Sequence, residues 1–323
     1  MAKEKVLVIG AGGQLGSELT ERLRQLHGAD NVIAADVRMR EYFAGWKFEM
    51  LDVLDHEGLE RILGQHRITQ IYHLAALLSA AGEQKPELAW QINMQGLLNV
   101  LESSVKFKVK KVYWPSSIAV YGPTTPKVDT PQDTIMDPTT VYGISKLAGE
   151  RWCEWYHQKH GLDVRSLRYP GLIGYKAKPG GGTTDYAVDI FFKAITERKY
   201  TCFLGPQTTL PMMYMEDALN ATIELMEAPA EKISVRSSYN LAGISFNPEE
   251  LANEIGKLLP DFAIEYKPDF RQQIADSWPR SIDDTAARMD WGWQHQYDLP
   301  KMVREMMAKL PVFHQLEEPA RIK

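Results

Sequence analysis

The chain has 323 residues, 44% of them hydrophobic and 24% charged, with a formal net charge of -5 at pH 7. That balance is ordinary for a globular protein and excludes broad attraction to nucleic acid or to an anionic membrane surface. The two cysteines, Cys153 and Cys202, lie in unrelated segments, and neither a signal peptide nor an apolar run of roughly 20 residues is evident, so a soluble cytoplasmic enzyme is expected.

In chain order, KVLVIG, NVIAAD, IYHLAA, KVYWPSS and DVRSLRYP read as strands, rich in β-branched and aromatic residues and bounded by turn residues. Helical periodicity lies between them, over Gln14 to His27, His56 to His66, Pro86 to Phe107 and Val141 to His160. Repeated strand–helix alternation predicts an α/β fold, a doubly wound parallel sheet covered on both faces. After Pro170 the stretch Gly171 to Thr184 is glycine-rich and loop-like, and helix resumes near Asp185 to Glu197. TCFLG and SSYNLAG read as short strands on either side of an amphipathic helix, YMEDALNATIELME. Asn247-Pro248-Glu249-Glu250 then carries a helix-start signature, with Asn at the cap and Glu placed to reach back. The expected organisation is a sheet domain of residues 1–170 plus 211–242 and a smaller, mostly helical lobe of residues 171–210 plus 243–323.

Parallel sheets of this kind bind ligands at the carboxyl ends of their strands, so motifs there carry the chemistry. Gly10-Ala11-Gly12-Gly13-Gln14-Leu15-Gly16 joins the first strand to the first helix. Glycine at Gly10, Gly13 and Gly16 lets the backbone turn sharply and approach a pyrophosphate at the helix N-terminus. The second strand ends in Asp36, a carboxylate placed to accept both adenosine ribose hydroxyls and to repel a 2'-phosphate. Arg38 two residues on argues the other way, and Asp36 at the strand end outweighs it, giving NAD (a Rossmann cofactor site). Asp52 is placed either to accept from the adenine amino group or to serve a turn or helix start before His56.

Val141-Tyr142-Gly143-Ile144-Ser145-Lys146 opens a long helix, and residues four apart share a face, so the Lys146 ammonium is expected beside the Tyr142 phenol, lowering its pKa toward a usable base. With 14 tyrosines the spacing recurs by chance, at Tyr297 and Lys301. Upstream context separates the two pairs: the strand KVYW runs into Pro115-Ser116-Ser117-Ile118-Ala119-Val120-Tyr121-Gly122, presenting Ser117 at a sheet end. A serine there holds a substrate oxygen beside the phenol. His157 and His160 share a helix face but read as solvent-facing, and no metal site is expected.

GAGGQLG, HLAA, the Asn93 helix, SSIAVYG, YGISK and RYPGLIG together resemble the extended short-chain dehydrogenase/reductase superfamily over nearly the whole chain. The resemblance implies catalysis by Ser117, Tyr142 and Lys146, with Lys146 also on the nicotinamide ribose. It implies a cofactor site of Gly10, Gly13, Gln14, Leu15, Gly16, Asp36, Asp52, Val53, Leu74, Ala75, Ala76, Asn93, Tyr169, Pro170 and Leu172, besides Tyr142 and Lys146. Asn93 would support the active-site helix, and the Asn93 and Tyr142 helices would pair two copies into a homodimer. Within the superfamily the chain is similar to the short-chain L-threonine 3-dehydrogenases at LLSAAGE, WPSSIAVYGPTTP, GGGTTDYA and IADSWPRSIDD. A nucleotide-sugar epimerase or dehydratase is the alternative, but the stretch Thr209 to Asp217 lacks the arginine usual in sugar-nucleotide enzymes, and Ser116, Ser117 and Ile118 offer no Asp-Glu pair of the dehydratase kind. The resemblance implies oxidation of L-threonine, with Ser79, Ser117, Tyr142, Thr183, Thr184, Asp185 and Trp278 around the substrate. Thr184 and Asp185 are equally suited to capping the next helix. A non-catalytic NAD sensor on the same fold is the third reading.

Overall fold

The computed structural model describes residues 4–180 and 182–316; Gly181 of the expected glycine loop and the side chains of Ala80 and Ala81 in the LLSAAGE stretch lie outside the described set. The first half runs β1 (Val6–Ile9), α1 (Gln14–His27), β2 (Val32–Asp36), β3 (Lys47–Met50), α2 (His56–His66), β4 (Gln70–His73), α3 (Ser79–Gln84), α4 (Pro86–Trp90), α5 (Gly96–Lys106), β5 (Lys111–Tyr113), β6 (Ser116–Ser117) and α6 (Val141–His160). The second half runs β7 (Asp163–Arg165), β8 (Leu167–Tyr169), β9 (Gly171–Ile173), α7 (Tyr186–Glu197), β10 (Lys199–Cys202), β11 (Leu210–Tyr214), α8 (Met215–Glu227), β12 (Tyr239–Asn240), β13 (Ile244–Phe246), α9 (Pro248–Gly256), β14 (Ala263–Tyr266), α10 (Arg271–Ser277), α11 (Thr285–Trp291) and α12 (Leu299–His314).

Six parallel strands form the central sheet in the order β3-β2-β1-β4-β5-β7. This is the expected doubly wound α/β arrangement. All residues of β1 and β4 are buried, because helices cover both faces, which is why these strands read as unbroken apolar runs and do not alternate. Chain order reverses between β1 and β4, so the glycine turn after β1 and the Leu74–Ala76 segment after β4 face each other across the switch point. The predicted strand DVRSLRYP is two strands: β7 pairs with β5, then β8 leaves that sheet to lie between β6 and β12.

The predicted helix from Pro86 to Phe107 contains a π-helical turn, Gln91–Gln95, with Asn93 in its middle. Such turns re-aim a side chain without ending the helix. The 20 residues of α6 start at Thr140, whose side chain accepts from the Gly143 amide, and stop at Gly161 in the left-handed region. Asn247 and Glu250 form the reciprocal cap anticipated for α9. Among the described residues no helix is long and apolar enough to cross a membrane.

Candidate active site

At the cofactor end, Gly10 has φ +82°, and a Cβ there would lie 2.6 Å from the Ala75 amide nitrogen. A Cβ on Gly16 would collide with the Gly10 carbonyl oxygen. Both positions therefore admit only glycine. Gly13, by contrast, has room; it begins α1 in extended backbone with no side chain capping the helix and no acidic residue in the first turn. The first amides of α1 are thus open to an anion, with the field of the helix behind them. Asp36 accepts from the Gly12 amide at 2.8 Å and from the Arg38 amide at 3.3 Å, which holds its carboxylate over the same turn. Gly12, outside the expected triplet, is therefore part of the cradle. These residues fit a dinucleotide cofactor.

Other expected cofactor residues divide by what their side chains already do. Leu74 donates its amide to Ile9 at 2.8 Å, bringing Leu74–Ala76 to the β1 edge. Asp52 turns onto its own chain, accepting from the Leu54 amide at 3.0 Å, while Asp55 caps α2, so the turn role is the one observed. Val53 is buried, packs toward Gly96 and offers its carbonyl to Asn99 at 3.0 Å. The Tyr169 hydroxyl is spent in the core, bonded to Tyr113 at 2.6 Å and to Thr222. Pro170 is buried, and Leu172 packs partly buried in β9.

At the reacting end, β6 and the start of α6 converge. The Ser117 hydroxyl caps the turn after β6, accepting from the Ala119 amide at 3.2 Å, and it also pulls the Tyr142 pKa down. Burial outweighs that pull and pushes the Tyr142 phenol up to about 12. Lys146 does not offset it as expected. Its ammonium donates to the Pro115 carbonyl at 2.5 Å and lies 4.4 Å from the Trp114 ring centre, against 5.4 Å from that of Tyr142. Burial in turn pushes Lys146 down to about 7, with Cys153 and Glu150 pulling upward. Asn93 links three elements: it accepts from the Leu77 amide at 2.8 Å and donates to the Leu77 carbonyl at 3.1 Å and to Ser145 at 3.2 Å.

The expected substrate residues are less uniform. Ser79 begins α3, which packs on α6. Thr183 is buried, and the Thr184 side chain abuts Gly171. Asp185 stands at the start of α7 without capping it. Its carboxylate instead accepts from the Gly180 and Gly182 amides at 2.6 and 2.9 Å, closing the glycine loop. Trp278 is 8% exposed in the apolar cluster against which Tyr142 packs. It also lines a cleft of about 490 Å³ with Thr209, Lys127 and Arg280. The segment 209–217 itself has no arginine; the cleft beside Thr209 carries two cations from elsewhere, of which Lys127 donates to the Gly122 and Ser277 carbonyls.

A match to the NAD dependent epimerase/dehydratase family covers residues 6–242. The chain belongs to that family. An uncharacterised epimerase/dehydratase of Staphylococcus saprophyticus is 47% identical over 94% of this chain and 96% of its own. GalE-like L-threonine dehydrogenase from Cupriavidus necator, in its holo form, is 57% identical with a TM-score of 0.93, over 95% of this chain and 99% of its own. A monomeric L-threonine 3-dehydrogenase of metagenomic origin, in its apo form, is 50% identical with a TM-score of 0.91, over 94% and 98%. The family implies a nicotinamide cofactor, in keeping with the glycine cradle.

Two polar groups near the site have no counterpart in the sequence reading. Glu83 accepts from the Val141 amide at 2.7 Å, securing the helix turn that carries Tyr142. His73, 1% exposed at the end of β4, has neither ring nitrogen bonded; burial and then the Lys146 charge push it down to about 3. Glu83 lies inside the LLSAAGE stretch, where its spacing to nothing nearby hinted at a partner 58 residues away. Among the described residues no cluster of His, Cys, Asp and Glu suits a metal ion. His157 bonds the Leu162 carbonyl at 3.0 Å, and His160 packs on Trp155 and Tyr156.

Proposed function

We propose that this chain is an NAD-dependent dehydrogenase that oxidises L-threonine at its secondary alcohol, giving 2-amino-3-ketobutyrate. The observation carrying this reading is the meeting of Ser117 and Tyr142 at the sheet edge, with Lys146 behind them. The likeness to solved L-threonine dehydrogenases supports threonine as the substrate. Gly10, Gly12, Gly13, Gly16 and Asp36 would hold the dinucleotide; when bound, its oxidised nicotinamide supplies positive charge and a hydride acceptor. Ser117 holds the substrate hydroxyl oxygen, and Tyr142 takes its proton as general base. Lys146 steadies the phenolate and the ribose hydroxyls. The buried Thr183, with Ser79 and Trp278, bounds the zwitterion, while Asp185 acts through the loop it closes.

The test is NADH formation, followed by absorbance, from NAD and L-threonine, with UDP-glucose and UDP-galactose in parallel. Turnover of threonine alone is expected. Epimer formation from a UDP-sugar without NADH from threonine would move the assignment to the epimerases; tight NAD binding without any turnover would favour a sensor.

The same reading includes a homodimer. Trp90, Ile144 and Trp152 are exposed on the Asn93 and Tyr142 helices, beside a largely apolar groove of about 500 Å³ lined by Pro86, Glu87, Trp90, Gln91, Val141 and Ile144. Sedimentation at equilibrium should give twice the chain mass, and Ile144→Glu should return it to one.

A further inference from the structure

Behind the Ser117–Tyr142 contact lies a buried charged network that the reaction as written does not use. Glu150 stands on α6 one turn beyond Lys146 and two beyond Tyr142, so the three share a face. It is 0% exposed, and Arg168 on β8 is 2% exposed. Arg168 grips Glu150 with both arms of its guanidinium, Nε to Oε1 at 2.9 Å and Nη2 to Oε2 at 2.8 Å. Ser116, which pairs with Arg168 across β6 and β8, donates its hydroxyl to Glu150 Oε1 at 2.6 Å. The remaining Arg168 amino group reaches the Gln132 carbonyl and Asn240 Oδ1, both at 3.0 Å, and the Tyr121 hydroxyl at 3.2 Å.

Two consequences follow from this arrangement. The serine bonded to Glu150 is the immediate neighbour of Ser117, so one carboxylate on α6 fixes the strand end that carries Ser117 against the helix that carries Tyr142. The same carboxylate is the buried anion nearest along the helix to Lys146, an ammonium whose only hydrogen bond among the described residues is to Pro115. An ammonium with so little solvation keeps its proton only if a neighbouring anion assists it. Of the other groups around it, His73 from β4 is buried and neutral and Tyr142 is a phenol; Cys153 also pulls Lys146 upward, but burial keeps it a protonated thiol, which leaves Glu150 as the neighbour that carries full charge. Arg168, with two hydrogen bonds to Glu150, fixes the direction of its carboxylate.

We propose that Glu150, held by Arg168 and Ser116, is a positioning residue that sets the Ser117–Tyr142 register and keeps Lys146 charged. This rests on the dehydrogenase reading for its kinetic consequence but not for its effect on Lys146. A carboxylate kept there only to bind Arg168 would serve the fold alone, and charge-conserving and charge-removing variants separate the two roles.

The experiment titrates the Lys146 ammonium in the full chain by NMR of isotopically labelled lysine side chains, assigned with Lys146→Arg, and measures threonine turnover against pH. In Glu150→Gln the Lys146 midpoint should move acidward by about one pH unit. The kcat should fall about tenfold with little change in KM for NAD. Glu150→Asp should keep the wild-type midpoint, since it retains the charge. Ser116→Ala, which removes one hydrogen bond and no charge, should keep the midpoint and lower kcat severalfold. An unchanged midpoint and pH profile in folded Glu150→Gln would overturn the proposal. If Glu150→Gln fails to fold, a wild-type kcat in Ser116→Ala or a shifted midpoint in Glu150→Asp would overturn it. A wild-type chain that does not oxidise threonine would reject the dehydrogenase reading, while the Lys146 titrations would still decide the role of Glu150.

Discussion

Tyr142 shows how far a spacing rule carries at the scale of one residue. Four residues separate it from Lys146, and the helix does bring them to one face, but direction decides the electrostatics: the ammonium turns to Pro115 and Trp114. Burial, opposed only by the Ser117 hydroxyl, leaves the phenol at about 12. If Tyr142 is the base, kcat/KM for threonine oxidation should rise with pH through the alkaline range, because the free chain must lose the phenol proton. A profile flat from pH 7 to 10 would remove Tyr142 from that role. Tyr142→Phe should cut turnover at least about a hundredfold while calorimetry finds NAD affinity nearly unchanged; wild-type rates in that variant would reject the assignment.

Among elements, the β1–α1 turn and the Asn93 helix behave oppositely under sequence reading. The turn was legible because its constraint is local: Gly10 and Gly16 are squeezed by backbone within or opposite the same turn. Gly16→Ala should abolish NAD binding as read by calorimetry, since the added Cβ displaces the Gly10 carbonyl; retained affinity would show that the turn relaxes. The Asn93 helix was legible in extent but not in form. Its π turn depends on partners at Leu77 and Ser145, which no periodicity in Pro86 to Phe107 encodes. Asn93→Ala leaves the partly buried Leu77 amide without its acceptor and should destabilise the chain by about 1 kcal/mol in urea unfolding. Asp185 belongs to the same class: it reads as a cap or a substrate ligand, and only the returning loop reveals its bonds to Gly180 and Gly182.

For the whole molecule, burial of ionisable groups couples the site to stability. His73 stays neutral in the folded chain down to about pH 3, whereas an unfolded histidine takes a proton near its ordinary value of about 6.5. Between those values the unfolded state binds more protons, so stability falls as pH drops through about 6.5 toward 3. From pH 7 to pH 5 this one group should cost about 2 kcal/mol, and His73→Gln should lose that part of the acid sensitivity in urea unfolding at the two pH values. An equal acid loss in both proteins would mean that His73 finds a proton or a water partner in the fold.

Sequence alone settled the architecture and the short-range motifs, because these depend on periodicity and on neighbours within one turn or one strand. Strand–helix alternation gave the doubly wound sheet, and the glycine turn, the Asn247 cap and the Ser117-to-Tyr142 order needed nothing more. Tertiary structure decided what lies between elements: that Glu83 holds Val141, that Glu150 joins Ser116 to Arg168, and that Lys127 and Arg280 line one cleft with Thr209 and Trp278. The physical reason is range. A helix face or a strand alternation is written in adjacent residues, whereas the partner of a buried charge is chosen by whichever segment the fold packs against it, often many residues away in the chain.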